Sequence, residues 1–265
     1  MKERADLLLV HKNLAPSREK AKTMIMAGEA FIGTERIQKA GQLIDKDSEI
    51  TIKGHSLKYV SRGGFKLEKI LDSYDIDLTG KVCMDIGSST GGFTDCMLQH
   101  GASKVYAVDV GYNQLAYSLR VDPRVVVMER TNIRYLDASE LEEAVDFISI
   151  DVSFISLDLV LPKAVTYLNR PGKISALIKP QFEAGKHKVG KGGIVSDPNV
   201  HKEVLERTLE LVRSLDMTPE VLTYSPIQGA KKGNTEFLML LSNVDTDAPP
   251  ISIDEVVRAS REEFH

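Results

Sequence analysis

The chain has 265 residues, of which 42% are apolar, 27% charged and 6% aromatic, with no tryptophan and a formal net charge of -4. This composition is close to the globular average and excludes collagen-like, low-complexity and coiled-coil proteins. The length predicts one large domain, or a large domain with a small one. The acidic balance argues against a nucleic-acid-binding protein if the charge is spread evenly.

The two cysteines and the lack of long apolar stretches indicate the compartment. Cys83 and Cys96 lie in no metal-ligand spacing, and Cys83 is inside an apolar run. We expect buried thiols, no disulfide framework and no metal site, which fits a reducing cytoplasm. Residues 1–20 lack the apolar core of a signal peptide, and no stretch approaches the roughly 18 apolar residues of a membrane span. These features predict a cytoplasmic protein that does not contact a membrane.

The charge is distributed unevenly along the chain. The first 66 residues contain 13 Lys and Arg against 8 Asp and Glu, a net of +5, and the remainder contains 21 against 30, a net of -9. Such asymmetry suggests that the two parts have separate functions.

The basic N-terminal part is predicted to form two helices followed by a small sheet. After a break at residues 13–16, Ser17 is a good N-cap for the second helix, and Gly28 is placed to end it. The predicted elements are helices at 4–12 and 18–27 and strands at 30–32 and 49–52.

The order of residues in this part resembles a small RNA-binding domain of a ribosomal protein, also present in bacterial tyrosyl-tRNA synthetases and pseudouridine synthases. The matching residues are Arg4, Asp6, Leu9, Val10, Leu14, Ala15, Ser17, Arg18, Ala21, Ile25, Gly28, Gly33 and Asp47. The resemblance implies RNA-phosphate contacts from Arg4, Arg18, Lys22, Arg36 and Lys39. An ordinary solvated charged face is the alternative. One departure is the turn, which is usually Asn-Gly, whereas here Gly33 follows Ile32.

From residue 81 onward, apolar strand-like runs alternate with helical stretches. The predicted strands are 81–86, 104–109, 125–129, 145–151, 173–179, 220–225 and 235–242, with helices at 92–100, 114–119, 154–168 and 200–215. This alternation predicts an α/β fold with a mostly parallel, doubly wound sheet covered by helices on both faces. Ligands in such sheets bind beyond the carboxyl ends of the strands, near the switch point.

The first of these strands leads into a glycine-rich turn at residues 85–94, DIGSSTGGFT. Glycine permits positive φ and close approach of the backbone to a ligand. The spacing G-x-x-x-G-G differs from that of dinucleotide binders and of the P-loop, and a purely structural turn is the alternative. The second strand ends in Asp109, where a carboxylate suits a ribose diol or, alternatively, a helix N-cap.

The glycine turn and the acidic residue after the second strand together resemble S-adenosylmethionine-dependent methyltransferases. That resemblance implies S-adenosylmethionine as the cofactor and places Asn132, after the third strand, near the adenine. The implied cofactor-binding residues are Asp85, Gly87, Ser88, Ser89, Gly91, Gly92, Phe93, Thr94, Asp109, Val110 and Asn132.

Charged residues also occur at the ends of buried strands, where apolar residues are expected. Asp151 ends the fourth strand, Lys179 ends the fifth, and Glu236 lies at the start of the seventh. Charged groups flanked by apolar runs are rarely left unpaired, so a structural ion pair is one explanation. Lys66 is on the helix that enters this part, in the motif SRGGFKL.

Residues 1–242 resemble the haemolysin A (TlyA-like) family, in which the small RNA-binding domain is fused to an FtsJ-like methyltransferase. The motifs that carry this resemblance are SRGGFKL, DIGSSTGGFTDC, VDVGYNQL, ERTNIR, DVSFISL, LIKPQFE and KKGNTEF. It implies a seven-stranded Rossmann-like sheet with an antiparallel last strand. It also implies 2′-O-methylation of ribosomal RNA at cytidine, on free RNA or on ribosomal subunits. The family's catalytic tetrad corresponds to Lys66, Asp151, Lys179 and Glu236.

The residue types suit this reaction, because a ribose hydroxyl attacks an activated methyl only if its proton is removed. Lys179 is expected to contact the attacking hydroxyl as a base or as an electrostatic stabiliser. Asp151 and Glu236 would orient the two lysines, and Lys66 would support the ribose or its phosphate. Glycines and lysines in segment 181–198 predict a flexible basic loop at the mouth of the site, with a plain surface loop as the alternative. The further basic residues expected to contact RNA are Arg62, Lys186, Lys188 and Lys191.

The predicted organisation is an RNA-binding α+β domain at 1–60, a methyltransferase domain at 61–243 and an extension at 244–265, with a Pro-Pro linker before a short helix. Three other functions compete with this interpretation. A membrane-lytic protein would need an amphipathic or apolar membrane segment, a non-catalytic assembly factor would have a broken tetrad or turn, and an oxidoreductase would have another glycine spacing. The sequence does not indicate the oligomeric state.

Overall fold

The computed structural model describes residues 2–52, 58–229 and 233–264. The chain divides into two compact units, Met1–Lys58 and Tyr59–His265. Lys231 and Lys232 of the motif KKGNTEF lie outside the described residues, as do residues 53–57 of the first predicted domain.

The first unit is built from two short helices and five short strands. Its elements are β1 (Lys2–Arg4), α1 (Ala5–His11), α2 (Arg18–Ala27), β2 (Ala30–Ile32), β3 (Glu35–Arg36), β4 (Leu43–Asp45) and β5 (Ile50–Ile52). The predicted start of α2 is confirmed, because the Ser17 side chain accepts a hydrogen bond from the Lys20 amide. Its predicted end is confirmed too, because Gly28 adopts a left-handed φ of 80° and its amide donates to the Ile25 carbonyl.

Two small sheets complete the first unit. Strands β3, β2 and β5 form a three-stranded antiparallel sheet, and β1 pairs with β4. The sequence did not predict β1 or β4, because each has only three residues and Lys2 pairs with Asp45, far along the chain. The apolar sides of both helices meet in one core, which includes Leu8, Leu9, Ala21 and Ile25.

The second unit alternates strands and helices over most of its length. Its elements are α3 (Gly64–Ser73), β6 (Val82–Ile86), α4 (Gly92–Gln99), β7 (Lys104–Val108), α5 (Tyr117–Arg120), β8 (Val125–Met128), β9 (Val145–Ile150), α6 (Leu157–Ala164), β10 (Leu168–Ile178), α7 (Pro180–Glu183), α8 (Pro198–Ser214), β11 (Thr218–Tyr224), β12 (Phe237–Ser242) and α9 (Ile253–Phe264).

Seven of these strands form one sheet, in the order β8–β7–β6–β9–β10–β12–β11. Strand β12 runs antiparallel to both of its neighbours, and the other neighbouring pairs are parallel. The predicted fold class, a seven-stranded α/β sheet with an antiparallel last strand, is confirmed. The strand order reverses between β6 and β9, so the carboxyl ends of these two strands form the switch point.

Alternating side chains of the strands enter two cores, one on each face of the sheet. Cys83 packs on the side of α3 and α4, whereas Met84 packs on the side of α6, α8 and α9. Helix α9, which lies in the C-terminal extension, contacts α8 and β11, and Val257 is buried there. No helix among the described residues is both long enough and apolar enough to cross a membrane.

Some predicted boundaries differ from the structure for local reasons. The helix predicted at 154–168 begins at Leu157, because Ser156 is its N-cap and accepts a hydrogen bond from the Asp158 amide. Strand β10 begins at Leu168, earlier than predicted, because Leu168 pairs with Val145 before an irregularity that ends at Lys173. The polar residues of that irregularity are typical of a turn.

Candidate functional site

A cleft of about 890 Å³ lies at the carboxyl-end edge of the sheet in the second unit. It is bordered by the turn after β6, the segment after β9 and the segment after β10. Because β12 is antiparallel, its first residues reach this same edge. The topology therefore gathers segments that are far apart in the sequence around one cavity.

The four charged residues predicted as a catalytic tetrad meet in this cleft. Lys66 on α3 donates from Nζ to Glu236 Oε2 at 2.6 Å, and its Nζ lies 3.8 Å from Asp151 Oδ2. Lys179 Nζ lies 2.6 Å from Asp151 Oδ1. Asp151 thus bridges the two lysines, and Glu236 binds one of them.

This arrangement is largely removed from solvent. Lys66 and Lys179 are each 8% exposed and Glu236 is 3% exposed. Two positive and two negative groups balance one another, which limits the free-energy cost of burying charge. The pairing agrees with a structural ion-pair network, but all four residues line the cleft, where a ligand can reach them.

The sequence-based interpretation missed a fifth polar residue in this network. Lys179 Nζ donates a hydrogen bond to Ser153 Oγ at 2.9 Å. Ser153 lies two residues after Asp151 and also lines the cleft. The motif DVSFISL contained the signal, because a polar residue follows a charged strand end at a spacing of two.

The glycine turn after β6 is shaped by close backbone contacts. Gly87 has a φ of 87°, and a Cβ atom on it would lie 2.4 Å from the Asp151 carbonyl oxygen. Gly91 has a φ of 99°, and a Cβ atom there would lie 2.3 Å from Leu119. Both glycines therefore pack against neighbouring parts of the chain, and Gly87 and Ser88 line a cradle beside the tetrad, where polar groups of the turn are available to a cofactor.

Asp85 supports this turn from beneath and does not line the cleft. Its carboxylate accepts hydrogen bonds from the Thr94 amide at 2.9 Å, from the Thr94 hydroxyl at 2.6 Å and from the Ser149 hydroxyl at 3.1 Å. Burial raises the pKa of Asp85 to about 7, against the opposing effect of these donors. Asp85 therefore joins β6, β9 and α4 under the predicted cofactor site.

We predict that Asp85→Asn changes the pH dependence of stability. Folding raises the pKa of the Asp85 carboxyl, so its protonation stabilises the folded state. This contribution to the free energy of unfolding is complete below the pKa of the unfolded chain, about 3.9, and is lost as the pH rises through about 7. Asparagine does not titrate, so raising the pH from 5 to 7 should increase the free energy of unfolding of the variant relative to that of the wild type by about 2 kcal/mol. Urea unfolding at both pH values measures this, and an equal difference at the two would contradict it.

The other predicted cofactor residues lie around the next two strand ends. Asp109 after β7 accepts hydrogen bonds from the Ser89 amide at 2.8 Å and the Gly111 amide at 2.6 Å, which ties it to the glycine turn. Val110 is 71% exposed. Asn132 accepts from the Arg134 amide. Asp109, Val110 and Asn132 do not line the cleft beside the tetrad. The part of the glycine turn that lines this cleft includes residues 87–90.

Two phenylalanines, also missed from the sequence, lie at the mouth of the cleft. Phe154 is 90% exposed and has a φ of 63°, a conformation that bulky residues rarely adopt. Its ring centroid is 4.9 Å from that of Phe182. Periodicity gave no signal for either, because an aromatic residue in an apolar run is usually part of a core.

Glu183 joins the segments that carry Asp151 and Lys179. Its carboxylate accepts from the Ser156 hydroxyl at 2.7 Å and from the Leu157 amide at 2.9 Å. Burial raises the pKa of Glu183. Glu183 therefore caps α6 and holds the segment after β9 against α7.

The predicted basic loop borders the cleft but is anchored. Asn234 donates from its side chain to the Gly193 carbonyl at 2.8 Å and accepts from the Val195 amide at 3.0 Å. Lys186 lines the cleft, whereas Lys188 is paired with Glu203. Lys191 is exposed, as is Arg62 near the start of the unit.

In the first unit, a buried carboxylate organises two of the arginines predicted to bind RNA. Asp6 is fully buried and contacts Arg4 Nε at 3.0 Å and Arg18 Nε at 2.9 Å. Hydrogen bonding to Arg4, opposed by burial and assisted by Arg18, holds the pKa of Asp6 well below its usual range. Both guanidinium groups remain about half exposed, so they can still contact an anion.

The remaining predicted RNA contacts of the first unit are also at its surface. Lys22 pairs with Glu19 at 2.6 Å on α2. Arg36 donates to the Met26 carbonyl at 3.3 Å, and Lys39 is exposed. These contacts hold Lys22 and Arg36 at the surface of α2 and of the adjoining hairpin.

Comparison with known proteins places the site in context. The FtsJ-like methyltransferase family matches residues 59–243. YqxC of Bacillus subtilis, provisionally named an rRNA methyltransferase, is 53% identical over 241 residues, which cover 91% of this chain and 85% of that protein. The 16S/23S rRNA (cytidine-2′-O)-methyltransferase TlyA of Mycobacterium tuberculosis is 41% identical over 239 residues, which cover 90% of this chain and 89% of that protein.

A solved structure is similar along the entire chain. It is described as a candidate hemolysin from Streptococcus thermophilus, shares 47% sequence identity and superposes with a TM-score of 0.77. The match covers 99% of this chain and 97% of the other.

Proposed function

Because this chain belongs to the FtsJ-like methyltransferase family, and within it to the group of TlyA and hemolysin A, we propose that it methylates the 2′-hydroxyl of a ribose in ribosomal RNA. S-adenosylmethionine is the methyl donor. The observation that carries the proposal is the pair of buried lysines bridged by Asp151 beside a glycine-lined cradle. The relative from M. tuberculosis is named for cytidine, so we propose cytidine as the target.

The glycine turn and Asp109 are the proposed cofactor-binding elements. The positive φ angles and close packing of Gly87 and Gly91 shape the turn, and the carboxylate of Asp109 would accept hydrogen bonds from a ribose diol. When bound, S-adenosylmethionine supplies a methyl carbon whose bond to sulfur breaks as the ribose oxygen attacks. Asp85 and Thr94 fix the turn from below, so the cradle is largely formed in advance.

Lys179 is the proposed acceptor of the hydroxyl proton. Its Nζ faces the cleft, and Asp151 holds it from one side at 2.6 Å. As the oxygen–methyl bond forms, the hydroxyl proton passes to the Lys179 amine, which leaves an uncharged ether on the ribose. Lys66, held by Glu236, provides a positive charge close to the reacting oxygen.

The surface around the cleft supports RNA as the substrate. Phe154 and Phe182 offer aromatic faces on which an unstacked base can lie, and Lys186 adds positive charge at the same mouth. The first unit presents Arg4 and Arg18 around Asp6, which suits phosphate binding. We therefore propose that the first unit binds RNA and the second performs catalysis, in the cytoplasm.

The loop lysines are predicted to contribute phosphate contacts. The double variant Lys186→Gln, Lys191→Gln should weaken RNA binding and lower the slope of log affinity against log salt by about 1 to 2. A matched control is Lys81→Gln, Lys104→Gln, which removes the same charge at the opposite edge of the sheet. Salt titrations of RNA binding measure both slopes, and equal slopes for the two variants would contradict a role for the loop.

Transfer of a labelled methyl group tests the proposed function. Purified protein is incubated with labelled S-adenosylmethionine and either ribosomal subunits or naked rRNA, and the modified nucleotide is then mapped. We expect label in the ribose of a cytidine. RNA binding without any label on either substrate would instead indicate an assembly factor, and label on a base would contradict the assignment to a ribose hydroxyl.

A further inference from the structure

We propose that Ser153 is a positioning residue, which directs the lone pair of Lys179 Nζ toward the substrate hydroxyl. This inference rests on the proposed function. The observation behind it is the hydrogen bond of 2.9 Å from Lys179 Nζ to Ser153 Oγ, which is separate from the three lysine–carboxylate contacts of the tetrad.

The geometry of an amine gives this contact its meaning. An sp³ nitrogen bonded to Cε has three further directions, and the structure assigns two of them for Lys179. One points to Asp151 Oδ1 at 2.6 Å and the other to Ser153 Oγ at 2.9 Å. In the neutral amine, these contacts take both N–H bonds, and the lone pair occupies the third direction. Two anchors define that direction, whereas Asp151 alone would leave the group free to rotate.

The chemical nature of Ser153 also matters. Lys66 lies between two carboxylates, Glu236 at 2.6 Å and Asp151 at 3.8 Å. Lys179 has one carboxylate and one neutral hydroxyl. A hydroxyl accepts an N–H bond from either protonation state of the amine without adding negative charge. Ser153 therefore orients Lys179 without placing a second negative charge beside it.

Ser153 can be replaced without disturbing the fold. Its side chain is exposed and lines the cleft, in contrast to the buried residues around it. The test compares Ser153→Ala, which removes the hydroxyl, with Ser153→Thr, which keeps it. Ser73→Ala is the matched control, because Ser73 is an exposed serine at the end of α3.

Steady-state methyl transfer with rRNA is the first measurement. We expect Ser153→Ala to lower kcat about 10- to 100-fold, with little change in KM for either substrate, because a hydrogen bond to a charged or reacting group is lost. Ser153→Thr should recover most of this loss, and Ser73→Ala should match the wild type. The inference fails if Ser153→Ala keeps the wild-type kcat, if only the KM for RNA rises, or if threonine does no better than alanine.

A crystal structure of each variant is the second measurement, and it does not depend on turnover. In Ser153→Ala, Lys179 Nζ should leave its position or occupy more than one, whereas in Ser153→Thr it should stay. An unmoved, single position in Ser153→Ala would overturn the inference. Wild-type protein without methyl transfer would contradict the proposed function, which is a separate result.

Discussion

Replacement of Lys179 by alanine is expected to reduce methyl transfer by about 10²- to 10⁴-fold, which is the range that a positioned acid or base contributes. Lys179 lines the cleft, and its Nζ lies 2.6 Å from Asp151 Oδ1. Alanine removes the group that takes the hydroxyl proton but leaves the glycine turn and Asp109 in place. The affinity for S-adenosylmethionine, measured by calorimetry, should therefore be retained.

The controls for Lys179→Ala separate chemistry from folding. Lys81→Ala removes an exposed lysine just before β6, at the opposite edge of the sheet, and should leave kcat unchanged. Asp151 keeps Lys66 as a partner at 3.8 Å in the Lys179 variant, so we expect a folded protein by thermal denaturation. Turnover at the wild-type rate would remove Lys179 from the mechanism. If the affinity for S-adenosylmethionine falls by as much as methyl transfer does, Lys179 acts in cofactor binding instead.

Gly87→Ala should have the second large effect, because it damages the cofactor cradle and the tetrad together. The new Cβ would lie 2.4 Å from the Asp151 carbonyl oxygen and 2.9 Å from its carbonyl carbon, so the backbone at Gly87 or Asp151 must shift. We expect a loss of about 3 kcal/mol or more in the free energy of unfolding, from the positive φ and from the overlap. Cofactor affinity and kcat should fall as well, because displacement of Asp151 moves the group that holds Lys179.

Gly80→Ala provides a matched control for this substitution. Gly80 has a φ of 71°, close to that of Gly87, but a Cβ atom on it would meet no heavy atom within 4 Å. Its expected cost is therefore the conformational strain alone, about 1–2 kcal/mol, with unchanged activity. Urea unfolding and cofactor titration of both variants measure the difference. If the two variants lose the same free energy of unfolding and keep the same cofactor affinity, the close approach of Gly87 to Asp151 has no functional role.

Local patterns in the sequence were sufficient for most of the fold. The inner strands β6, β7, β9, β10 and β12 contain apolar runs that are buried on both faces, and the strand–helix alternation predicts a mostly parallel sheet. Ser17 and Gly28 define α2 through hydrogen bonds that span only a few residues. Such signals act over short separations, so they can be recognised without knowledge of the rest of the chain. Strands β1 and β4 were missed because their pairing depends on a distant segment.

The candidate site was predictable in a different way. Asp151, Lys179 and Glu236 stood out because buried strand ends rarely carry charge, and the resemblance to a family added Lys66 and supplied the grouping. The structure adds which atoms meet and in what order. Asp151 bridges both lysines, and Glu236 binds Lys66 only. Side-chain distances depend on how α3 packs against the sheet and where β12 pairs within it, and no local sequence pattern contains this information.

The net charge of -4 shows what the sequence by itself determined. Its division into a basic first part and an acidic remainder indicated two segments with separate functions, because charge is a property of the chain. The resemblance to a known family implied RNA binding for the first segment and catalysis for the second. Only the tertiary structure placed Ser153 against Lys179, Asp85 beneath the glycine turn and Asp6 between two arginines. These contacts arise from packing between distant segments, and packing decides which polar groups lose water and must find one another.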